Sequence, residues 1–298
     1  MKKLSPFFKN LAYFSASFFV LFSCKTSPEN LMQSNLNNSK NKDENIHFIV
    51  AGHVYGAPNT VNHPFHPPFM KYLANAKADS SIDFTVFTGD IVQESNKQSW
   101  DKVDSLLGTL PFKTYFSAGN HDLKNRPLYE ERYGDPNFYF SRGSNLFYFV
   151  DLLPTYWNLA SHISKLKELQ KNNNYENIFV FTHHIAWYNE KLTPEIKVNS
   201  TYGRDSNQTF YSEVLPVLNN MNSDFYFIGG DVGANPLNSE ITLHKSKNVY
   251  LICSGMGSYQ KDNVLHVKIT KEDVSVNVEF LNKESTILAD TCYKILNL

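Results

Sequence analysis

Short apolar runs alternate with amphipathic segments along most of the 298-residue chain. Apolar runs between polar turns are typical of strands, and apolar residues spaced three and four apart are typical of helices. The runs predict strands at 47–50, 84–87, 113–116, 137–141, 146–150, 178–181, 225–228, 249–252, 264–269 and 274–280. The amphipathic segments predict helices at 68–78, 97–107, 157–171 and 210–218. Because strands and helices alternate first and strands dominate the last third, we expect an α/β layered sandwich built from mixed sheets.

The first 24 residues have the pattern of an export signal. Three lysines in the first nine residues precede an apolar segment, 11–22, that is too short to span a bilayer comfortably. The segment ends in Leu21-Phe22-Ser23-Cys24, which resembles a bacterial lipobox. We therefore expect a signal peptide over 1–24, lipid on Cys24, and an exported lipoprotein that is periplasmic or anchored in the outer membrane. A plain signal peptide or a short anchor helix is the alternative.

The rest of the chain divides into three parts by composition. Residues 25–45 are rich in Asn, Ser and Lys and poor in apolar residues, which predicts a flexible tether. Residues 46–283 show no internal boundary and form the predicted folded domain, followed by an extension at 284–298. Cys253 and Cys292 would remain after processing, and the sequence leaves open whether they form a disulfide or stay as two buried thiols.

Composition and charge exclude one class of partner. The formal net charge is −1, so no basic surface field favours nucleic acid. We therefore expect no nucleic-acid partner.

Polar side chains that can bind metals or move protons follow four of the predicted strands. They are Asp90 after 84–87, Asn120, His121 and Asp122 after 113–116, His183 and His184 after 178–181, and Asp231 after 225–228. The carboxyl ends of strands in open α/β sheets commonly carry ligand sites. Carboxylates, an amide and imidazoles together suit Mn²⁺, Mg²⁺, Fe²⁺ or Zn²⁺. The pattern predicts a divalent metal site.

The order of these motifs resembles the calcineurin-like metallophosphoesterase family over residues 46–270. The family's motifs run Asp-x-His, Gly-Asp, Gly-Asn-His-Asp or Glu, a strand-terminal His, and Gly-His-x-His. The three middle motifs are present here, and the segment 132–151 is similar to the family's Tyr-rich hairpin. The resemblance implies a four-layer α/β/β/α sandwich of mixed sheets and hydrolysis of phosphate mono- or diesters.

The resemblance also implies a role for each matching residue. Asp90 would bridge two metals, Asn120 and His183 would bind the second metal, His121 would hydrogen-bond the phosphate or protonate the leaving group, and Asp122 would orient His121.

Two motifs depart from the family pattern. Ala51 stands in place of the first Asp, although His53 matches, and Gly233 stands in place of the last His. Asp231 occupies the position of the preceding His and is a competent ligand. The first metal therefore keeps only His53 and Asp90, while the second keeps a full set. We expect one bound ion, or two if other residues rebuild the first site.

Four histidines bear on that question. His53 would serve either as a remaining first-site ligand or as a hydrogen-bond donor in the transition state. His63, His66 and His184 could rebuild the first site, but each is a lone histidine outside a motif, which favours a surface or structural role.

Several aromatic residues and one arginine follow the predicted strand ends. They are Tyr55, Trp187, Tyr188, Tyr202 and Arg204. They could line a substrate groove, with the guanidinium gripping an anionic group. The alternative is that the aromatic residues cap the core.

The sequence thus predicts a metal-dependent hydrolase of phosphate esters at the cell envelope. The alternative is a non-catalytic binding or assembly module for envelope polysaccharide, built on a degenerate phosphoesterase fold. Ala51 and Gly233 favour the alternative, whereas the intact motif at 119–122 favours the enzyme.

Overall fold

Two mixed β-sheets form the centre of the fold, in the order β11-β10-β1-β2-β3 and β12-β8-β9-β7-β6-β5-β4. The strands are β1 Ile46–Ala51, β2 Phe84–Thr88, β3 Lys113–Ser117, β4 Phe138–Arg142, β5 Asn145–Val150, β6 Asn177–Thr182, β7 Asp224–Gly229, β8 Ile241–Ser246, β9 Val249–Ser254, β10 Asn263–Ile269, β11 Val274–Phe280 and β12 Leu296–Asn297. Strands β1 to β3 run parallel to one another, as do β5, β6, β7 and β9. Antiparallel β10, β4 and β8 flank these parallel groups.

The computed structural model describes most of the predicted folded domain. It covers residues 45–58, 63–153, 159–201, 209–237 and 241–282, and the backbone of 296–297. The predicted signal peptide, nearly all of the tether, and Tyr202, Arg204 and Cys292 lie outside the described residues, so the predictions for them stay predictions. None of the helices in the described ranges combines the length and the hydrophobicity that a membrane span needs.

Helices connect the strands and cover the outer faces of the sheets. They are α1 Pro67–Ala76, α2 Lys97–Leu107, α3 Arg126–Tyr133, α4 Leu159–Asn173 and α5 Leu215–Leu218. A π-helical turn at Phe210–Val214 leads into α5, and a 3₁₀ turn at Asp122–Asn125 leads into α3. The Asn96 side chain caps α2 by accepting a hydrogen bond from the Ser99 N–H at 2.9 Å.

Three buried clusters define four layers. Phenylalanines from both sheets meet between them, and the Phe48 ring lies 5.5 Å from Phe147 and 5.4 Å from Phe179. On the outer face of the first sheet, Trp100 of α2 packs in a cluster with the sheet's apolar side chains. On the outer face of the second sheet, Leu166 of α4 does the same. The predicted α/β/β/α sandwich of mixed sheets is therefore confirmed.

Every predicted strand and helix is present, with ends shifted by a few residues at most, but helix α3 and strands β8 and β12 are not among the predicted elements. Helix α3 is rich in charged residues and begins with Arg126-Pro127, so its apolar periodicity is weak. Strand β8 pairs with β9 through a turn at Lys247, whose φ of 51° is unusual for a residue other than glycine.

The strand register brings the motif loops to one edge of the molecule. Ala51 pairs with Phe87 at the ends of β1 and β2, and Thr182 pairs with Gly229 at the ends of β6 and β7. The Ser117 hydroxyl donates to the Phe181 carbonyl at 3.2 Å, which joins the two sheets near these ends.

Candidate metal centre

Four of the predicted site residues meet in the interior, contributed by loops from both sheets. The Nε2 atom of His53 lies 3.4 Å from Oδ2 of Asp90, and Nε2 of His183 lies 3.4 Å from Oδ1 of Asp90. The same nitrogen of His183 lies 3.8 Å from Oδ1 of Asp231. All four side chains are buried. Two imidazoles and two carboxylates thus lie together where loops from the two sheets meet.

The loop backbones that carry these groups are locked together. His53 and Asp90 both have left-handed backbone conformations, with φ of 53° and 51°, which non-glycine residues adopt only at a cost in energy. The His53 N–H donates to the Gly89 carbonyl at 3.1 Å. A Cβ at Gly119 would lie 2.4 Å from Oδ1 of Asp90, so only glycine allows this approach.

Backbone carbonyls determine which nitrogen of each buried imidazole points at Asp90. Nδ1 of His53 lies 3.1 Å from the Met256 carbonyl, and Nδ1 of His183 lies 3.0 Å from the Thr88 carbonyl. A carbonyl only accepts, so each Nδ1 carries the hydrogen and each Nε2 of the neutral ring presents a lone pair. Nε2 of His183 is buried and has no hydrogen-bond partner among the described residues. A buried, unpartnered lone pair between two carboxylates fits a divalent cation.

The side chain of Asp122, in the loop after β3, has different hydrogen-bond partners from the expected one. The Asp122 carboxylate accepts hydrogen bonds from the N–H groups of Ile91, Val92 and Gly119, at 2.8, 3.0 and 2.8 Å. Nδ1 of His121 instead lies 2.7 Å from the Gln93 carbonyl. The expectation that Asp122 orients the His121 ring is therefore wrong, because Asp122 binds backbone N–H groups and the ring is held by the Gln93 carbonyl.

Asn120 and His121 lie at the edge of the buried group and are half-buried. The His121 backbone N–H donates to Oδ1 of Asp90 at 3.2 Å. This contact holds the segment Asn120-His121 against the predicted bridging carboxylate.

The metal-free site concentrates negative charge beside His183. Burial opposes ionisation of Asp90, but the imidazoles of His183 and His53 outweigh it and lower the pKa of Asp90. Burial likewise opposes protonation of His183, but Asp90 and Asp231 together raise its pKa. Burial raises the pKa of Asp122 to about 7, helped by the charge of Asp90. This distribution favours a cation near His183.

The sequence did not predict the position of His184 in this site. One ligand atom each of His183, His184 and Asp231 lie within 4.8 Å of one another. The sequence shows the paired imidazoles after β6 but does not predict that His184 lies beside Asp231.

A family model for calcineurin-like phosphoesterases matches residues 62–255, which is more than half of the chain. The chain belongs to this family. Two solved structures resemble it at low sequence identity. A conserved uncharacterized protein of Streptococcus pneumoniae TIGR4, titled a predicted phosphoesterase, is 9% identical with a TM-score of 0.36, and the match covers 80% of this chain and 91% of that one. Vps29 of Chaetomium thermophilum is 12% identical with a TM-score of 0.38, covering 81% and 90%. A search of curated proteins finds no match.

The two departures from the calcineurin-like motifs are built into the backbone and core. Ala51 is fully buried and packs in the cluster beneath the helices of the first sheet. Gly233 has a φ of 83°, and a Cβ there would lie 2.8 Å from the Met256 N atom. A histidine at Gly233 would therefore clash with the loop after β9. Neither position can supply a ligand.

Two other histidines weighed for the first site lie elsewhere. His66 is fully buried with its Nε2 2.7 Å from Oδ2 of Asp262, whose other oxygen accepts the Gly257 N–H at 2.8 Å. His66 is thus a structural residue that ties its loop to the loop after β9. His63 is exposed and lines a surface cavity of about 180 Å³ together with Tyr55.

The aromatic residues divide between the site and the core. The Tyr55 ring lies 4.4 Å from the His53 ring and 5.2 Å from the His121 ring, so it adjoins the site. Trp187 is fully buried and packs near Phe210, so for this residue the core alternative is confirmed and the groove alternative is wrong. Its large apolar surface is removed from water in the core between β7 and the π-helical turn.

His53→Gln should change how the stability of the metal-free protein depends on pH. Burial lowers the pKa of His53 to about 4, from 6.5 in the unfolded chain. Between these values the unfolded chain binds a proton that the folded protein does not, so stability from this group is full above pH 6.5 and lost as pH falls toward 4. From pH 8 to pH 5, the unfolding free energy of the variant should gain about 1–2 kcal/mol relative to wild type.

Urea unfolding in EDTA at both pH values measures this difference. A difference between the two proteins that does not change with pH would contradict the prediction.

Proposed function

We propose that this protein hydrolyses phosphate mono- or diesters, using one divalent ion held by Asp90, Asn120, His183 and Asp231. The observation that carries the proposal is the buried Nε2 of His183, which has no hydrogen-bond partner among the described residues and faces Asp90 at 3.4 Å and Asp231 at 3.8 Å. Membership of the calcineurin-like phosphoesterase family supports the reaction class. Imidazole and carboxylate donors suit Mn²⁺, Fe²⁺, Zn²⁺ or Mg²⁺.

A divalent ion, when bound, polarises a phosphoryl oxygen and lowers the pKa of a bound water. His121 is the group we assign to the phosphate. Its Nδ1–H is held by the Gln93 carbonyl at 2.7 Å, so Nε2 is the atom that donates a hydrogen bond or proton when the ring is protonated. Asp122 is a positioning residue, because its hydrogen bonds connect the loop that carries Asp90 to the loop that carries His121.

In this proposal His53 acts as a metal ligand or as a hydrogen-bond acceptor. Its Nδ1–H donates to the Met256 carbonyl, and burial keeps the ring neutral by lowering its pKa to about 4. The Nε2 lone pair then faces Asp90, so the ring cannot donate from this atom at neutral pH. A role as transition-state donor is the less favoured of the two sequence-based hypotheses.

Metal content and phosphodiesterase activity of the purified full-length protein test the proposal. We expect about one transition metal per chain and hydrolysis of bis-para-nitrophenyl phosphate, consistent with a single mononuclear site built from imidazole, carboxylate and amide donors. His121→Ala should lower kcat at least about 100-fold, as expected for loss of a general acid. The control is His162→Ala, which removes a half-buried histidine of α4 that is hydrogen-bonded to the Tyr148 hydroxyl of β5. Unchanged activity in His121→Ala would refute the assigned role.

The envelope location is part of the same proposal and rests on the leader sequence that ends at Cys24. We propose that lipid on this residue anchors the protein to a membrane. Membrane fractionation should recover the wild type with membranes and Cys24→Ala in the soluble fraction. Recovery of both proteins in the same fraction would refute lipid anchoring.

A non-catalytic binding module is the second candidate, and the backbone at Gly233 favours it. A side chain there would clash with the loop after β9, so the first metal site cannot hold its usual ligand. Absence of bound metal and of turnover, even with added Mn²⁺, would favour this candidate, for which an envelope polysaccharide is the proposed ligand.

A further inference from the structure

Three buried side chains on the loops after β6 and β7 form a compact set of ligands. His183, His184 and Asp231 are 1%, 2% and 1% exposed. One ligand atom from each lies within 4.8 Å of the other two. Two imidazole nitrogens and a carboxylate oxygen at this separation match the protein ligands of mononuclear zinc and iron sites.

The local backbone explains how two consecutive histidines reach one place. Side chains alternate between faces within a strand, but β6 ends at Thr182, and the chain turns there. The Thr182 hydroxyl donates to the His184 carbonyl at 2.8 Å. The two rings then lie 5.0 Å apart with their planes inclined by 77°.

The loop after β7 is hydrogen-bonded to this turn. The N–H groups of Gly230 and Asp231 both donate to the His183 carbonyl at 2.9 Å. The ligand-bearing segments after β6 and β7 are therefore bonded to each other through the backbone, and folding alone brings the three ligands together.

The positions that depart from the family motifs add no ligand. Ala51 has no side-chain donor atom, and the backbone at Gly233 leaves no room for a side chain. Among the described residues, the loops of the first sheet contribute the buried donors His53 and Asp90, and the loops after β6 and β7 contribute His183, His184 and Asp231.

We propose that His184 is a further ligand of the same ion, in addition to Asp90, Asn120, His183 and Asp231. This inference rests on the proposed function for the presence of the ion and adds a ligand to it. Two imidazoles favour borderline ions such as Zn²⁺, Fe²⁺ and Co²⁺ over Mg²⁺, which prefers oxygen ligands.

Titration of the EDTA-stripped full-length protein with Co²⁺, followed by its visible absorption, tests the assignment. His184→Gln should weaken Co²⁺ binding at least about 10-fold and alter the absorption bands, since even outer-shell changes cost 10–100-fold. The matched control is His66→Gln, which removes an equally buried histidine that pairs with Asp262. Its Co²⁺ affinity should stay within about threefold of wild type, because His66 is not a ligand.

A second variant separates ligation from a structural role. His184→Asp replaces an imidazole by a carboxylate, so the ratio of Zn²⁺ to Mn²⁺ affinity should fall at least about 10-fold. Circular dichroism of the metal-free variants checks folding. If both His184 variants fail to fold without metal, the residue is structural and the inference is wrong.

The remaining outcomes distinguish this inference from the proposed function. If His184→Gln binds Co²⁺ like wild type while Asp231→Asn does not, His184 is not a ligand, and the proposed function is unaffected. If the wild type binds neither Co²⁺, Zn²⁺ nor Mn²⁺, the proposed function fails and this inference fails with it.

Discussion

Asp90→Asn should remove bound metal and abolish phosphodiesterase activity. Its carboxylate lies 3.4 Å from both His53 and His183 and accepts the His121 N–H, so it is the central acceptor of the buried group. Replacing one oxygen by an NH₂ group removes the negative charge and turns a donor toward neighbouring groups. Because outer-shell changes alone cost 10–100-fold in metal affinity, loss of this ligand should cost at least about 100-fold in affinity and activity.

Asp83→Asn is the matched control, because Asp83 precedes β2 whereas Asp90 follows it. Asp83 is an exposed residue that pairs with Arg142 at 3.1 Å, away from the strand end that carries the site. Its loss should leave metal content and activity close to wild type. Metal analysis after gel filtration and steady-state kinetics measure both variants. Full metal content in Asp90→Asn would show that the centre lies elsewhere.

Asp122→Ala should be the most destabilising single change near the site. The carboxylate is fully buried and accepts three backbone N–H groups, from Ile91, Val92 and Gly119. Alanine leaves these three donors without a partner, and each buried unsatisfied donor costs about 1–3 kcal/mol. We expect the unfolding free energy to fall by about 3–5 kcal/mol, and the remaining folded protein to lose activity because two ligand loops separate.

Urea unfolding of the metal-free protein measures this loss. The control is Asp135→Ala, which removes an exposed carboxylate that accepts the Asn137 N–H at 2.8 Å in a turn. Water can satisfy that N–H, so the control should lose less than about 1 kcal/mol. Equal losses in the two variants would mean that the Asp122 hydrogen bonds do not support the loops.

Two buried groups near the site, Asp122 and His53, make the stability of the protein depend on pH in opposite directions. Burial raises the pKa of Asp122 to about 7, so its contribution is full at low pH and lost as pH rises through 7. His53 acts in the opposite sense, losing its contribution as pH falls toward 4. The two partly cancel in the metal-free protein, which is why the His53→Gln comparison is needed to isolate one of them.

Sequence reasoning identified the elements and the order of the site motifs. The strands at β2, β6 and β7 and their polar ends, Asp90, His183 and Asp231, are local features, because apolar runs and strand-terminal glycines lie within a few residues of each other. The fold class followed from the same alternation. Helix α3 and strand β8 were missed, since their apolar periodicity is weak and tertiary packing completes them.

Contacts between segments far apart in the chain decided the rest. The carbonyls of Met256, Thr88 and Gln93 select the ring nitrogens of His53, His183 and His121, and no local pattern places them there. Trp187 entered the core although it follows the site motif directly.

The sequence by itself determined which side chains could bind a metal and in what order along the chain they occur. Only the tertiary structure decided that His184 joins His183 and Asp231, that Asp122 binds backbone donors, and that Gly233 has no room for a side chain. The physical reason is that ligand geometry depends on strand register and on loop-to-loop hydrogen bonds, which arise only when the two sheets pack together.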